Sequence, residues 1–230
     1  MIKHGVNNFI FSSSATVYGE QNLAPYTEKM QFGKATSPYS STKIMVELII
    51  KDIMATHKNF KKVTLRYFNP IGAHESGLIG EDPNGKPNNL LPFIAQVAAG
   101  KREELEVFGD NYPTHDGTCE RDYVHVMDLA EGHVAALGWL NKQSKLSKVE
   151  SFNLGTGAGT SVLSIIKAFE SATGITVPFK ITSARIGDLA AFWADASKAK
   201  HFLGWQAKRT LLQMMTDTWR WQSKNLDGYT

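Results

Sequence analysis

Two short apolar runs with one helix between them constrain this chain more than any other feature. Asn7-Asn8-Phe9-Ile10-Phe11 reads as a strand and ends in Ser12-Ser13-Ser14. Lys62-Val63-Thr64-Leu65-Arg66-Tyr67-Phe68 has the β-branched and aromatic bias of a second strand. Between them, Ser37 is a good helix N-cap and Pro38 suits the first helical position. Ile44, Met45, Leu48 and Ile49 then recur at helical spacing. Residues 7 to 72 therefore read as a βαβ unit of a parallel sheet. Such open sheets place their chemistry at the carboxyl ends of strands, where the three serines stand.

The remaining chain continues the alternation. Residues 73 to 92 are rich in Gly, Pro and Asn and read as turns or a binding loop. Helices are predicted over 91–99, 128–140, 161–173, 195–202 and 211–222, the last with Leu211, Met215, Thr218 and Trp219 along one side. Strands are predicted over 105–109, 121–126, 149–154 and 177–181. At 230 residues, 42% hydrophobic and 20% charged, the chain is long enough for one large or two small globular domains. Its 25 basic and 22 acidic residues leave a net charge of +3, too slight and too scattered to imply nucleic acid. Cys119 is the single cysteine, so no intrachain disulfide forms, and the thiol fits a reducing cytosol. No apolar run approaches the ~20 residues that span a membrane. His74, His115, His125 and His133 lack metal-ligand spacing and read as structural or surface residues.

The helix opened by Ser37 carries the chemistry. Tyr39 and Lys43 lie one turn apart on one face. A free phenol is a poor base at neutral pH, with a pKa near ~10. An ammonium one turn away favours the phenolate, and a tyrosine so tuned takes a proton from an alcohol or sugar hydroxyl. The spacing alone fits equally an amphipathic helix with Tyr39 half-buried and Lys43 solvated.

The surrounding motifs decide between these. SSSATVYG from Ser12, YSSTK from Tyr39, LRYFNPIGAH from Leu65, PNNLLPFIAQVA from Pro87, RDYVHVMDLA from Arg121, FNLGTG from Phe152 and GDLAAFWAD from Gly187 follow in order. Together they resemble the extended short-chain dehydrogenase/reductases, most closely the UDP-galactose 4-epimerase (UDP-glucose 4-epimerase) family, over essentially the whole chain. The resemblance implies an α/β fold: a partial Rossmann-type parallel sheet with a smaller α/β substrate-binding domain. It divides the chain into a Rossmann segment at 1–72, a substrate-domain segment at 73–117, a return to the sheet at 118–154 and a C-terminal substrate-binding domain at 155–230. It implies tightly bound NAD, UDP-galactose and UDP-glucose as substrates, and a cytoplasmic homodimer. Ser14, Tyr39 and Lys43 match the family's catalytic residues, and with Phe68 they match its nicotinamide pocket. Asn69, Asn89, Leu90, Phe108, Arg121, Arg185 and Asp188 match positions that hold the UDP-sugar. Two arginines suit a diphosphate, because guanidinium forks bind phosphate oxygens bidentately. Asn69 before Pro70 also fits a plain turn, and Arg121-Asp122 also fits a surface pair. Arg185 stands alone where the family often has two basic residues, since its neighbour is Ala184.

Two positions separate the epimerases from their relatives. Nucleotide-sugar dehydratases resemble STDEVYG at the first motif, and decarboxylases keep the Glu; here Ala15 and Thr16 stand there. Neither supplies an acid for eliminating water, which favours plain epimerisation. Phe192 matches a sugar-pocket position where a large residue tends to exclude N-acetylated hexoses, so UDP-N-acetylhexosamines are expected to be poor substrates.

Family members begin with a strand, a G-x-x-G-x-x-G turn and a helix whose N-terminus binds pyrophosphate. None of that precedes Phe9, so the resemblance implies a chain that starts inside the Rossmann sheet. An exposed sheet edge and instability are expected from that start. Gly155-Thr156-Gly157-Ala158-Gly159 follows a strand but has Thr160 where the fingerprint needs Gly, and it reads as a strand-to-helix turn. Two functions stay open: part of an active epimerase, or a UDP-sugar-binding remnant without catalysis.

Overall fold

The computed structural model describes residues 1–20, 23–57, 59–144 and 149–229. The βαβ unit forms from the expected segments. β1 (Asn8–Ser14) runs parallel to β2 (Lys61–Tyr67), with Ser14 opposite Tyr67, and α1 (Pro38–Thr56) crosses between them. Ser37 accepts a hydrogen bond from the Ser40 amide at 3.1 Å, and Pro38 needs no amide partner in the first turn. Next come β3 (Asn69–Ile71), α2 (Leu90–Ala98), β4 (Leu105–Phe108), β5 (Glu120–Arg121), β6 (Tyr123–His125) and α3 (Val126–Lys142). β7 (Glu150–Leu154) joins β2 in parallel, giving the sheet order β1-β2-β7. The chain then forms β8 (Thr160–Ser161), α4 (Val162–Thr173), β9 (Phe179–Thr182), β10 (Ala191–Phe192), α5 (Ser197–Leu203) and α6 (Leu211–Lys224).

Three elements depart from expectation. The alternation over 121–126 predicts one strand, but the backbone changes partners at Asp122. The Asp122 amide donates to Phe192 O at 3.0 Å, while its carbonyl accepts from the Asn69 amide at 2.9 Å. β5 therefore belongs with β10 and β8, and β6 with β3. The helix predicted from 195 starts at Ser197, because the Asp195 carboxylate accepts from the Ser197 amide at 2.8 Å. The strand predicted from 177 starts at Phe179, just after Pro178, which has no amide to give a ladder.

Packing follows the layers. α3 and α5 cover one face of the sheet, burying Val63, Leu65, Leu140, Phe152, Leu154 and Trp205. A second core joins α2, α4 and α6 through Leu91, Ile94, Ile165, Phe169, Met214 and Met215. A third, with Tyr18, Tyr26, Phe68 and Phe192, sits between them. The α1 side of the sheet is polar at depth: Arg66 forks onto Glu47 at 3.0 and 2.7 Å, and Ser13 donates to the same carboxylate at 2.6 Å. Both partners of that pair are buried, so losing either one strands a charge. Among the described residues, no helix is long and apolar enough to cross a membrane.

Candidate active site

The carboxyl ends of β1 and β2 gather the first set of candidates. Ser14 is the last residue of β1; its hydroxyl accepts from the Thr16 amide at 3.2 Å and from the Thr16 hydroxyl at 3.1 Å. Lys43 is no solvated charge. Its ammonium donates to the Ser12 carbonyl at 2.8 Å and stands 5.3 Å from the centre of the Tyr39 ring. The strand that ends in Ser14 thus fixes the lysine, and the lysine leans over the tyrosine. Tyr39 itself is 50% exposed. Behind them, Arg66 donates to the Tyr18 hydroxyl at 3.2 Å, which donates to Asn153 at 2.6 Å. Burial pushes the Tyr18 phenol up to about 12, against the opposing pull of Arg66. Burial also raises Tyr67, with nearby Tyr39 adding to it. This support carries no motif in the sequence; Arg66 between Leu65 and Tyr67 in β2 is its one visible sign.

A cleft of about 380 Å³ begins at Asn69, two residues beyond β2, and is not lined by Ser14, Tyr39, Lys43 or Phe68; its volume is within the range of small-molecule sites. Seven of the eight UDP-sugar candidates line it: Asn69, Asn89, Leu90, Phe108, Arg121, Arg185 and Asp188. They come from five points in the fold. Asn69 opens β3, Asn89 precedes α2, Phe108 ends β4 and Arg121 ends β5. Arg185 and Asp188 stand between β9 and β10. Arg121 donates to Leu189 O at 2.6 Å and to Glu120 O at 3.0 Å. Its other terminal nitrogen lies 3.7 Å from Asp188. Arg185 forks onto Asp188 at 2.8 and 3.1 Å and stacks 4.7 Å from the Phe108 ring centre. One carboxylate thus holds two guanidiniums over the same cleft. Tyr123 and Glu106 line it too. Lys86, Phe93, Cys119 and Val162 are among the further lining residues.

The protein-family description GDP-mannose 4,6 dehydratase matches residues 1–218. The UDP-glucose 4-epimerase of Neisseria meningitidis serogroup C is 58% identical over 229 residues, covering 100% of this chain and 67% of the relative. That of Bacillus subtilis (strain 168) is 54% identical, covering 100% of this chain and 66% of the relative. The chain belongs to the UDP-glucose 4-epimerase family. It spans about two thirds of the length of these curated relatives. The UDP-glucose 4-epimerase of Stenotrophomonas maltophila, solved with NAD and formylated UDP-arabinopyranose, superposes with a TM-score of 0.93. It is 52% identical, and the match covers 97% of this chain and 66% of that one. The Bifidobacterium longum UDP-glucose 4-epimerase in complex with NAD+ and UDP gives a TM-score of 0.93 at 49% identity, over 100% of this chain and 67% of that one. The α/β, parallel-sheet architecture expected from the sequence is the fold of these epimerases.

Against the epimerase reading of the sequence, two residues sit differently. Phe192 does not line the cleft. It is buried against Tyr26 at 4.5 Å and Phe68 at 5.1 Å between ring centres. It lies opposite Arg121 in the ladder of β10 and β5, so it backs the arginine from the aromatic core. Asp122 is no surface partner of Arg121. It is wholly buried and accepts from Thr156 N and Thr156 Oγ1 at 2.7 Å, and from Gly157 N and Ala194 N at 3.1 Å. Burial raises its pKa, and those hydrogen bonds oppose the shift. The Gly155–Gly159 turn therefore spends its amides on a carboxylate of its own chain. A Cβ at Gly155 would collide with that carboxylate, which explains a glycine there. His125 and His133 are structural, facing Asp217 and Ser12 respectively.

The family's dinucleotide can be tested against these groups. Lys43 keeps two N–H donors beyond its bond to Ser12, suited to ribose hydroxyls. Tyr39 is accessible, Ser14 ends β1, and buried Phe68 follows the last residue of the adjacent β2. This donor set fits the nicotinamide riboside end of NAD. The turn at 155–159, already filled by Asp122, offers the pyrophosphate no cradle. Among the described residues no cluster of three or more His, Cys, Asp or Glu side chains is placed to hold a metal ion.

Proposed function

We propose that this chain carries the substrate cleft and the acid–base residues of an enzyme interconverting UDP-galactose and UDP-glucose at C4, through a 4-keto sugar. The observation that carries the reading is the cleft with its two guanidiniums, which the chain enters at Asn69 directly after Phe68. Arg121 and Arg185 bind the diphosphate, and Asp188 orients both while accepting from ribose hydroxyls. Tyr39 takes the proton from the sugar 4-hydroxyl, and Lys43 holds positive charge beside it. Ser14 hydrogen-bonds the 4-oxygen and relays its proton. NAD, held by Tyr39, Lys43, Ser14 and Phe68, supplies the hydride acceptor and donor. The protein grips UDP and leaves the hexose free to turn over. Ala15 is buried and Thr16 donates to Ser14, so neither supports dehydration or decarboxylation.

A UDP-sugar-binding function without catalysis is the second reading, favoured by the filled turn at 155–159. On either reading, segments 1–72 and 118–154 carry the sheet, while 73–117 and 155–230 carry most of the cleft. Exposed Met45, Leu48 and Ile49 on α1 support a homodimer through that helix, and the single thiol of Cys119 supports a cytoplasmic setting. The test is a coupled epimerase assay with UDP-galactose and excess NAD, alongside NAD release by heat. Conversion that disappears in Tyr39→Phe supports the enzyme. Binding of UDP-galactose without conversion supports the second reading, and neither binding nor conversion rejects both. Light scattering that finds only monomer would reject the dimer.

A further inference from the structure

The loop that forms one wall of the cleft is held from behind by the carboxyl end of the chain. Tyr229 grips both backbone groups of Gly80: its hydroxyl accepts from Gly80 N at 2.8 Å and donates to Gly80 O at 3.1 Å. The Tyr229 amide donates to the Asp82 carboxylate at 2.9 Å. The Tyr229 ring packs 5.5 Å from Trp221 of α6, and Gly80 lies against the same indole so closely that a Cβ there would collide with it. Gly228 makes the approach feasible: its φ is +82°, and a Cβ would meet the Asp82 carboxylate. On its inner side the same loop reaches the cleft. Glu81, between the two gripped residues, accepts from the Asn89 side chain at 3.2 Å, and Lys86 and Asn89 line the cleft.

We propose that Tyr229 is a positioning residue for the nucleotide: the terminal clasp fixes Gly80–Asp82, and through Glu81 sets Asn89. This rests on the cleft being the UDP site. Loops pay conformational entropy when a ligand orders them, so a loop tied down beforehand binds more tightly. The coupling is reciprocal: if the clasp favours UDP, then UDP favours the clasp by the same factor. A residue serving stability alone would show no such return effect.

The experiment is amide hydrogen exchange on the whole chain with and without UDP, paired with UDP titrations of Gly228→Val and Tyr229→Phe. We expect UDP to slow exchange at the Gly80 and Tyr229 amides about fivefold or more, and Gly228→Val to weaken UDP by a similar factor. Tyr229→Phe, which keeps the ring on Trp221, should fall between, with its melting temperature close to that of the parent. Slowed exchange at Asn89 and Arg121 with none at Gly80 and Tyr229 overturns the clasp while leaving the cleft intact. No slowing at Asn89 or Arg121 rejects the cleft as the UDP site, and the clasp with it. Should Gly228→Val not fold, the exchange on the unsubstituted chain and the Tyr229→Phe titration still decide.

Discussion

The cleft and the Tyr39 end of the sheet are built in opposite ways. The cleft is walled by residues from β3, α2, β4, β5 and the segment between β9 and β10, and its charges are paired: Asp188 holds Arg185 and stands near Arg121. Tyr39 lies half-exposed on α1, beside β1, which is the end strand of the order β1-β2-β7. Its neighbours are anchored inward, Lys43 to Ser12 and Glu47 to Arg66, while Met45, Leu48 and Ile49 face out. The contrast teaches that gripping a nucleotide and moving a proton are separable here. On the proposed function, the first rests on the cleft residues alone, and the second on what meets the face of α1.

Four changes sharpen or break that separation. Tyr39→Phe is expected to lower epimerase turnover about 10²–10⁴-fold while leaving UDP affinity nearly unchanged; a parallel loss of UDP binding would break the division. Phe192→Ser removes a ring packed against Tyr26 and Phe68, so thermal unfolding should show a loss of about 3–5 kcal/mol. Behind Arg121, that opening is also expected to admit UDP-N-acetylhexosamines, and a coupled assay showing no gain removes this account of specificity. Arg121→Ala should weaken UDP about 10–100-fold, as for lost hydrogen bonds to a charged group. Arg185→Ala, at a side chain 55% exposed, should cost less in the same titration.

The smallest effect is a pH dependence of stability through His125. His125 is buried; its Nδ1 accepts from the Met127 amide at 3.0 Å and its Nε2 faces Asp217 at 3.3 Å. Burial holds its pKa below the ordinary 6.5, with Arg209 adding to that and Asp217 and Asp128 opposing. The unfolded chain therefore takes up the proton first. The His125 contribution is complete above about pH 6.5 and drains as pH falls through the lowered folded value. Melting temperatures measured from pH 7.5 down should decline, and less steeply in His125→Gln. An equal slope in both would assign the decline to other groups.

Much of this was legible in the sequence, for physical reasons that differ by region. The βαβ unit was visible because strand, cap and helix signals agree from Asn8 to Tyr67. The cleft residues were visible only through whole motifs, since Asn69, Phe108 and Asp188 are far apart in the chain and no local period joins them. The burial of Asp122 has no local signal, because its partners, Thr156, Gly157 and Ala194, lie at least 34 residues away. The packing of Phe192 on Phe68, away from the cleft lining, has no local signal, because sequence position cannot tell which side of β10 a ring packs on. Arg66 and Glu47 were passed over, as buried ion pairs carry no periodic signature.

The most direct measurement is a calorimetric titration of the purified chain with UDP, without added NAD. Saturable binding at one UDP per chain, lost in Arg121→Ala and kept in Tyr39→Phe, is the result the separation predicts. No binding by a chain that is folded by circular dichroism would contradict it, and would mean that the cleft needs the surface around Tyr39 to be covered before it can hold a nucleotide.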